Sequence, residues 1–167
     1  YTGHEDGSVA IWNTETYTFI REFCRQAGGV TSIIMNSNKK LMLTSGKDNK
    51  ILVWDLRNYG VQYSISTQFE PEQIMLSSDD KYLIVKLVTG QVALYNLAGE
   101  NLGYIGIRTP TLRSIAISLD GNKMFMAYED QPIQIWDLSD YETIGTLYKT
   151  RAPIEYMSIA ENGNRMF

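Results

Sequence analysis

Apolar residues in this chain come in runs of about five to seven, each broken by a cluster of Gly, Asn, Asp or Ser. Runs this short, rich in Ile, Val, Tyr, Phe and Leu, predict β-strands joined by turns and no helices. Several runs place apolar side chains at consecutive positions, as in Ile33, Ile34, Met35 and Ile51, Leu52, Val53. A strand with one wet face alternates, so consecutive apolar positions predict sheets covered on both faces.

The pattern repeats. Segments 6–13, 48–56, 89–97 and 130–138 each set a turn-forming triplet before an apolar stretch that reaches a large aromatic. Those aromatics, Trp12, Trp54, Tyr95 and Trp136, are 42, 41 and 41 residues apart. A second series (30–35, 71–76, 112–118, 154–160) runs in step, and the basic residues of the turns after it, Lys40, Lys81, Lys123 and Arg165, are 41, 42 and 42 apart. Such a period means stacked supersecondary units. In the unit ending at Trp54, strands are expected near 17–22, 30–35, 41–45 and 51–55. Four strands per period predict each unit to be one antiparallel sheet. The unit boundaries fall at 1–13 (partial), 14–56, 57–97, 98–138 and 139–167 (partial), within one continuous segment 1–167.

The dipeptides Trp54-Asp55 and Trp136-Asp137, their weaker counterparts Trp12-Asn13 and Tyr95-Asn96, and the turn aspartates Asp6, Asp48 and Asp130 six residues before three of the aromatics resemble WD-repeat β-propellers. The likeness covers essentially the whole chain. It implies an all-β fold of about four blades belonging to a larger, seven-bladed propeller. It also implies a structural tetrad in each blade, in which a loop His bonds the turn Asp, a Ser or Thr, and the Trp. By register the His positions fall at Gln26, Thr67, Arg108 and Thr150, so the tetrads are expected to be incomplete. Thr2, Asp6 and Trp12 match the other members in the first unit, and Thr44, Asp48 and Trp54 in the second; the third has Val85, Thr89 and Tyr95, and the fourth Met126, Asp130 and Trp136. Gly3-His4 lies in the turn before Trp12, not where the family places its histidine. Tyr1 and Phe167 fall in equivalent strands four periods apart, so the chain is expected to be part of a longer one, with a ring closed at four blades as the alternative.

Composition narrows the chemistry. Fifteen Lys and Arg against nineteen Asp and Glu, scattered singly, give a net charge of −4 and no basic stripe for a phosphate backbone, so nucleic acid is not an expected partner. One Cys, Cys24, and one His, His4, exclude an internal disulfide and a Cys/His zinc cluster. The chain has no N-glycosylation acceptor and no membrane-length apolar run, so membrane insertion is not expected and an intracellular, cytoplasmic setting is. His4 has no evident nucleophile to serve as general base, and Cys24 reads as an inert thiol beside Arg25. Asp6, Asp48 and Asp130 recur at the repeat period and so sit in different units, which makes them turn caps and not a metal site. Met124, Met126, Met157 and Met166 fall on strands and read as core. No phosphate-binding glycine loop opens a helix, and no cofactor or small-molecule substrate is expected.

What remains is surface. The family resemblance implies partner docking on the face that gathers the loops entering the innermost strand of each unit and the turns between its last two strands. By register those places hold Glu5, Lys47 and Glu129 in turns, and Arg25, Phe69, Arg108 and Arg151 in loops. Phe69, in a polar loop, is either an interface anchor or packed beneath that loop. The expected function is a non-catalytic interaction scaffold within a multiprotein complex, with cytoskeletal or ciliary assemblies as one setting. The alternatives are a propeller-borne enzyme or a peptide reader with a central-channel site; one His in four units weighs against the former.

Overall fold

A computed structural model describes residues 1–106, 112–147, 154–160 and 166, with the side chains of 23–25 left aside. The described residues hold strands β1 (Thr2–Gly3), β2 (Ser8–Asn13), β3 (Thr18–Arg25), β4 (Val30–Met35), β5 (Leu41–Gly46), β6 (Lys50–Asp55), β7 (Gly60–Ser66), β8 (Pro71–Leu76), β9 (Leu83–Leu87), β10 (Val92–Tyr95), β11 (Asn101–Ile105), β12 (Leu112–Ile117), β13 (Lys123–Tyr128), β14 (Gln134–Asp137) and β15 (Thr143–Thr146). They form a three-stranded sheet, β1-β2-β3, and three four-stranded sheets, β4 to β7, β8 to β11 and β12 to β15, in which chain neighbours pair antiparallel. An isolated bridge, Ile159 to Met166, follows the last sheet.

The sheets lie side by side, and the consecutive apolar residues explain why. In the second sheet, the cross-strand pair Met42 and Trp54 packs on Val9 and Ile11 of the first sheet, while the next pair, Leu43 and Val53, packs on Leu83, Val85 and Tyr95 of the third. In the third sheet Leu83 and Tyr95 face backward, and Ile84 and Leu94 face forward onto Ile115, Met124 and Met126. Both faces of each inner sheet are therefore dry, and each side chain removed from water contributes roughly 1.5–3 kcal/mol. Trp54 is 4% exposed because the first sheet covers it; Trp12, in the same register, is 43% exposed and touches Phe19 edge-on at 5.6 Å between ring centroids. Among the described residues the sheets are not closed into a ring, in contrast to the four-bladed alternative.

The strands appear where the apolar runs place them, but a sheet is not one sequence unit. The run expected to open the unit 14–56 is β3, which pairs with β2, and the sheet containing Trp54 takes β7 as its outer strand. The cause is local. Asn13 accepts hydrogen bonds from the amides of Glu15 and Thr16, closing a tight hairpin between β2 and β3, whereas the link from β3 to β4 crosses between sheets. The same cap recurs at Asp55 with the Arg57 amide, Asn96 with Ala98 and Glu100, and Asp137 with Ser139. The second member of each aromatic-Asp/Asn dipeptide is thus a turn cap.

The same hairpins carry tyrosine at a left-handed position: Tyr17 (φ 56°), Tyr59 (φ 58°) and Tyr141 (φ 63°). A side chain there costs on the order of 1–2 kcal/mol, and two of the three are held by the preceding sheet. Arg21 stacks over Tyr59 at 4.9 Å, and Tyr82 meets Tyr141 edge-on at 6.4 Å. At the same end of the row, Asp80 accepts bonds from the Ser37 amide and hydroxyl and from Asn36 Nδ2, and Ser78 donates to the Leu119 carbonyl, tying successive sheets together.

Candidate protein-interaction face

The opposite end gathers the turns 4–7, 47–49, 88–91 and 129–133 and the loops 26–29 and 67–70. One part of it is built around Gln26, which is 2% exposed. Trp54 Nε1 donates to Thr44 Oγ1 (3.1 Å), Thr44 donates to Gln26 Oε1 (2.9 Å), and Gln26 Nε2 donates to Asp48 Oδ1 (3.1 Å) and to the Lys50 carbonyl (2.7 Å). Asp48 and the carbonyl can only accept, which fixes the amide orientation. This corrects the expectation of incomplete tetrads: in the second sheet the four-membered chain is complete, because an amide carries the acceptor and donor that the absent His would supply. The Gln was legible as a register match, but it is not a histidine and its two-sided bonding was not inferred from it.

Backbone packing locks the same loop. The Gln26 amide donates to the Gly7 carbonyl, Val30 to His4, and Lys47 to Gly29. A Cβ on Gly28 would lie 2.7 Å from the Asp48 nitrogen, and one on Gly29 would lie 2.8 Å from the Glu5 carbonyl oxygen, so the loop is wedged between two turns that admit no side chain. Above it Lys47 and Glu5, from neighbouring sheets, pair at 3.6 Å.

In the first sheet Trp12 Nε1 donates to Thr2 Oγ1 (2.9 Å), and His4 Nε2 lies 3.1 Å from the same oxygen. His4 reaches the Thr from its own turn and not from an inter-sheet loop. Asp6 Oδ1 caps Ser8 through its amide and hydroxyl. The third sheet lacks such a chain: the Thr67 and Thr89 hydroxyls are buried without a partner, Val85 replaces Thr44, and Leu87, fully buried, stands where Gly46 leaves room for Gln26. In the fourth, Trp136 Nε1 bonds its own strand at Gln134 Oε1, and Asp130 is exposed at φ 58°.

Three charged or polar pairs line the start of the first strands, at a bulge that recurs in each four-stranded sheet. Thr31 meets Ser45 (2.8 Å), Glu72 meets Lys86 (2.8 Å), and Arg113 meets Glu129 (2.7 Å). Lys86 is 6% exposed and also approaches the Arg113 carbonyl at 3.5 Å, so the second and third pairs join across a sheet boundary. Sequence reasoning named Glu129 and missed Glu72, Lys86 and Arg113, although a lysine inside the apolar run 83–87 was a signal. Phe69 is half-buried against the core between the second and third sheets. Arg108 and Arg151 lie outside the described residues, as does the side chain of Arg25.

The carboxylates with displaced pKa values sit at the other end. Side-chain and backbone bonds from Arg57 hold Asp55 well below the usual carboxylate range, while the Ser77, Ser118 and Ser139 hydroxyls lower Asp79, Asp120 and Asp137. Burial raises Tyr63 and Tyr95. Among the described residues no group of three His, Cys, Asp or Glu could hold a metal ion, and no helix is long and apolar enough to cross a membrane.

The family model described as "WD domain, G-beta repeat" matches residues 17–55, the stretch that contains Gln26, Thr44, Asp48 and Trp54. That stretch is similar to a WD repeat. The chain is 28% identical to the WD repeat-containing protein 55 homolog of Drosophila willistoni over 97% of its length and 32% of that protein. It is 19% identical to autophagy-related protein 16 of Arabidopsis thaliana over 99% of the chain and 33% of the relative, and 24% identical to small ribosomal subunit protein RACK1 of Candida albicans over 73% and 41%. The chain spans about a third of the length of the first two relatives. In this chain the sheets repeat, while the loops between them, such as 26–29 and 67–70, differ in sequence from unit to unit.

Proposed function

We propose that this chain is a non-catalytic interaction scaffold whose partner proteins dock on the face formed by loops 26–29 and 67–70 and the turns beside them. The observation that carries this reading is the Gln26 chain with its glycine wedge. It holds the Glu5-Lys47 turn pair in a fixed place, so little ordering entropy is lost when a partner lands there. Glu72, Lys86, Arg113 and Glu129 extend the face with charge, giving orientation and partner choice more than affinity. Phe69 contributes from beneath its loop, and Arg25, Arg108 and Arg151 are proposed by sequence register alone as further partner-binding residues. The name of one relative places it in the small ribosomal subunit, which agrees with work inside a large complex. The compartment is cytoplasmic, with the cytoskeleton or cilium as a setting, and neither nucleic acid, membrane nor small-molecule substrate is required.

The test is capture of the full-length protein from its own cells, followed by lysine cross-linking and mass spectrometry. A stoichiometric partner cross-linked through Lys47 supports the proposal. Cross-links confined to Lys39, Lys40, Lys81 and Lys123 at the opposite end, or turnover of a small molecule with no protein partner, would overturn it.

A further inference from the structure

We infer, on the reading that partner proteins dock at this face, that Arg113 anchors a carboxylate side chain of the partner, an Asp or Glu in an exposed segment. Three equivalent bulges, at Thr31, Glu72 and Arg113, each put one extra residue on β4, β8 and β12, at intervals of 41 residues. A bulge re-aims the side chain it carries and recurs beside binding sites for that reason. What the three side chains have left to offer differs. The Thr31 hydroxyl donates its proton to the Pro71 carbonyl of the next sheet at 2.6 Å. Glu72 accepts from Lys86 at 2.8 Å. Arg113 carries a planar fork of N–H donors, and among the described residues only its Nη2 is engaged, with Glu129 Oε2 at 2.7 Å. Its side chain is 40% exposed, so most of the fork is unspent and within reach of a partner.

The surrounding charges select the ligand. Contacts run from Glu72 to Lys86, from Lys86 to the Arg113 carbonyl, and from Arg113 to Glu129, so the two cations are the inner members and a carboxylate closes each end. The Lys86 side chain is 7% exposed, which leaves its charge less screened than a surface one. A planar carboxylate matches the guanidinium fork in a two-point contact that a lysine cannot offer. A phosphate dianion matches the site less well, because Glu72 and Glu129 repel its second charge. Glu129 keeps the fork in place and also competes for it, so the site favours a partner's carboxylate without requiring a large affinity from it.

The probe is a phage-displayed library of random peptides, selected on the immobilised full-length protein and counter-selected on its Arg113→Gln variant. Selected sequences are expected to carry Asp or Glu at one position at least about threefold above the starting library, and to lose that preference on the variant. Binders with no acidic preference, the same preference on Arg113→Gln, or no binders at all overturn the inference. The best peptide is then made with Glu, Gln or phosphoserine at that position. Glu is expected to bind at least about tenfold tighter than Gln; equal binding, or tighter binding of phosphoserine than of Glu, overturns the carboxylate assignment. Glu129→Gln keeps an oxygen beside the fork and removes the competing charge, so it is expected to bind the Glu peptide at least about twofold tighter than the parent, and weaker binding also overturns it. These outcomes are distinct from failure of the docking proposal, which the cross-linking tests with the natural partner.

Discussion

Replacing Gln26 by Met keeps an unbranched side chain of nearly the same length and removes both ends of its hydrogen bonding. Three bonds go: Thr44 to Oε1, and Nε2 to the Asp48 carboxylate and to the Lys50 carbonyl. Each net bond is worth about 1 kcal/mol and the one to a charged acceptor about 1.5–3, giving roughly 4 kcal/mol. Thr44 is fully buried and keeps its bond from Trp54, but its own proton is left without an acceptor. Against this, an apolar thioether is cheaper to bury than an amide by about 1–2 kcal/mol. The expected loss is therefore about 2–3 kcal/mol, or roughly 5–10 °C in Tm for a chain of this size. Urea and thermal unfolding followed by circular dichroism measure it, with Thr67→Val as the register-matched control, expected within about 0.5 kcal/mol of the parent. A Gln26→Met protein as stable as the parent, or one no worse than the control, would refute the reasoning.

Three further outcomes are expected. Trp54→Ala should cost about 3–5 kcal/mol in unfolding free energy, as for other buried large aromatics, whereas Trp12→Ala, at a far more exposed ring, should cost clearly less; equal costs would contradict the inter-sheet packing. Gly28→Ala places a Cβ against the backbone of Lys47 and Asp48, and should lower stability by about 1–3 kcal/mol, read from the denaturant midpoint. The Asp55, Asp79, Asp120 and Asp137 carboxylates have folded pKa values below their unfolded ones, so their stabilisation is present above about pH 4 and is lost as pH falls through the folded values. Asp55→Asn retains the turn cap, as Asn13 and Asn96 do, and loses the Arg57 ion pair, so Tm plotted against pH should fall less steeply below pH 4 than in the parent.

Much of the fold was readable because its signals are local. Turn caps at Asn13, Asp55, Asn96 and Asp137 and consecutive apolar pairs such as Met42 and Leu43 lie within a few residues of the strands they define. Which sheet a strand joins is not local: the apolar pattern of β3 is the same whether it pairs with β2 or β4, and the capped hairpin at Asn13 decides it. The site was less legible. Glu5 and Lys47 were placed on the right turns, yet their mutual pairing depends on how two sheets abut. Gln26 is legible in the sequence only as a departure from His, because its two-sided bonding depends on Thr44, Asp48 and Lys50, which only the folded second sheet brings to it. Lys86 reads as an interruption of an apolar run until Glu72 appears beside it at a bulge, a juxtaposition that only the folded sheet creates.

The most direct test of the central claim, that a buried amide closes the four-membered chain of the second sheet, is NMR observation of the Gln26 side-chain NH2 and the Trp54 indole N–H. Both are expected to be protected from solvent exchange, with nuclear Overhauser contacts from the Gln26 NH2 to Lys50 and from the indole to Thr44. Rapid exchange of the Gln26 amide, without those contacts, would contradict the account.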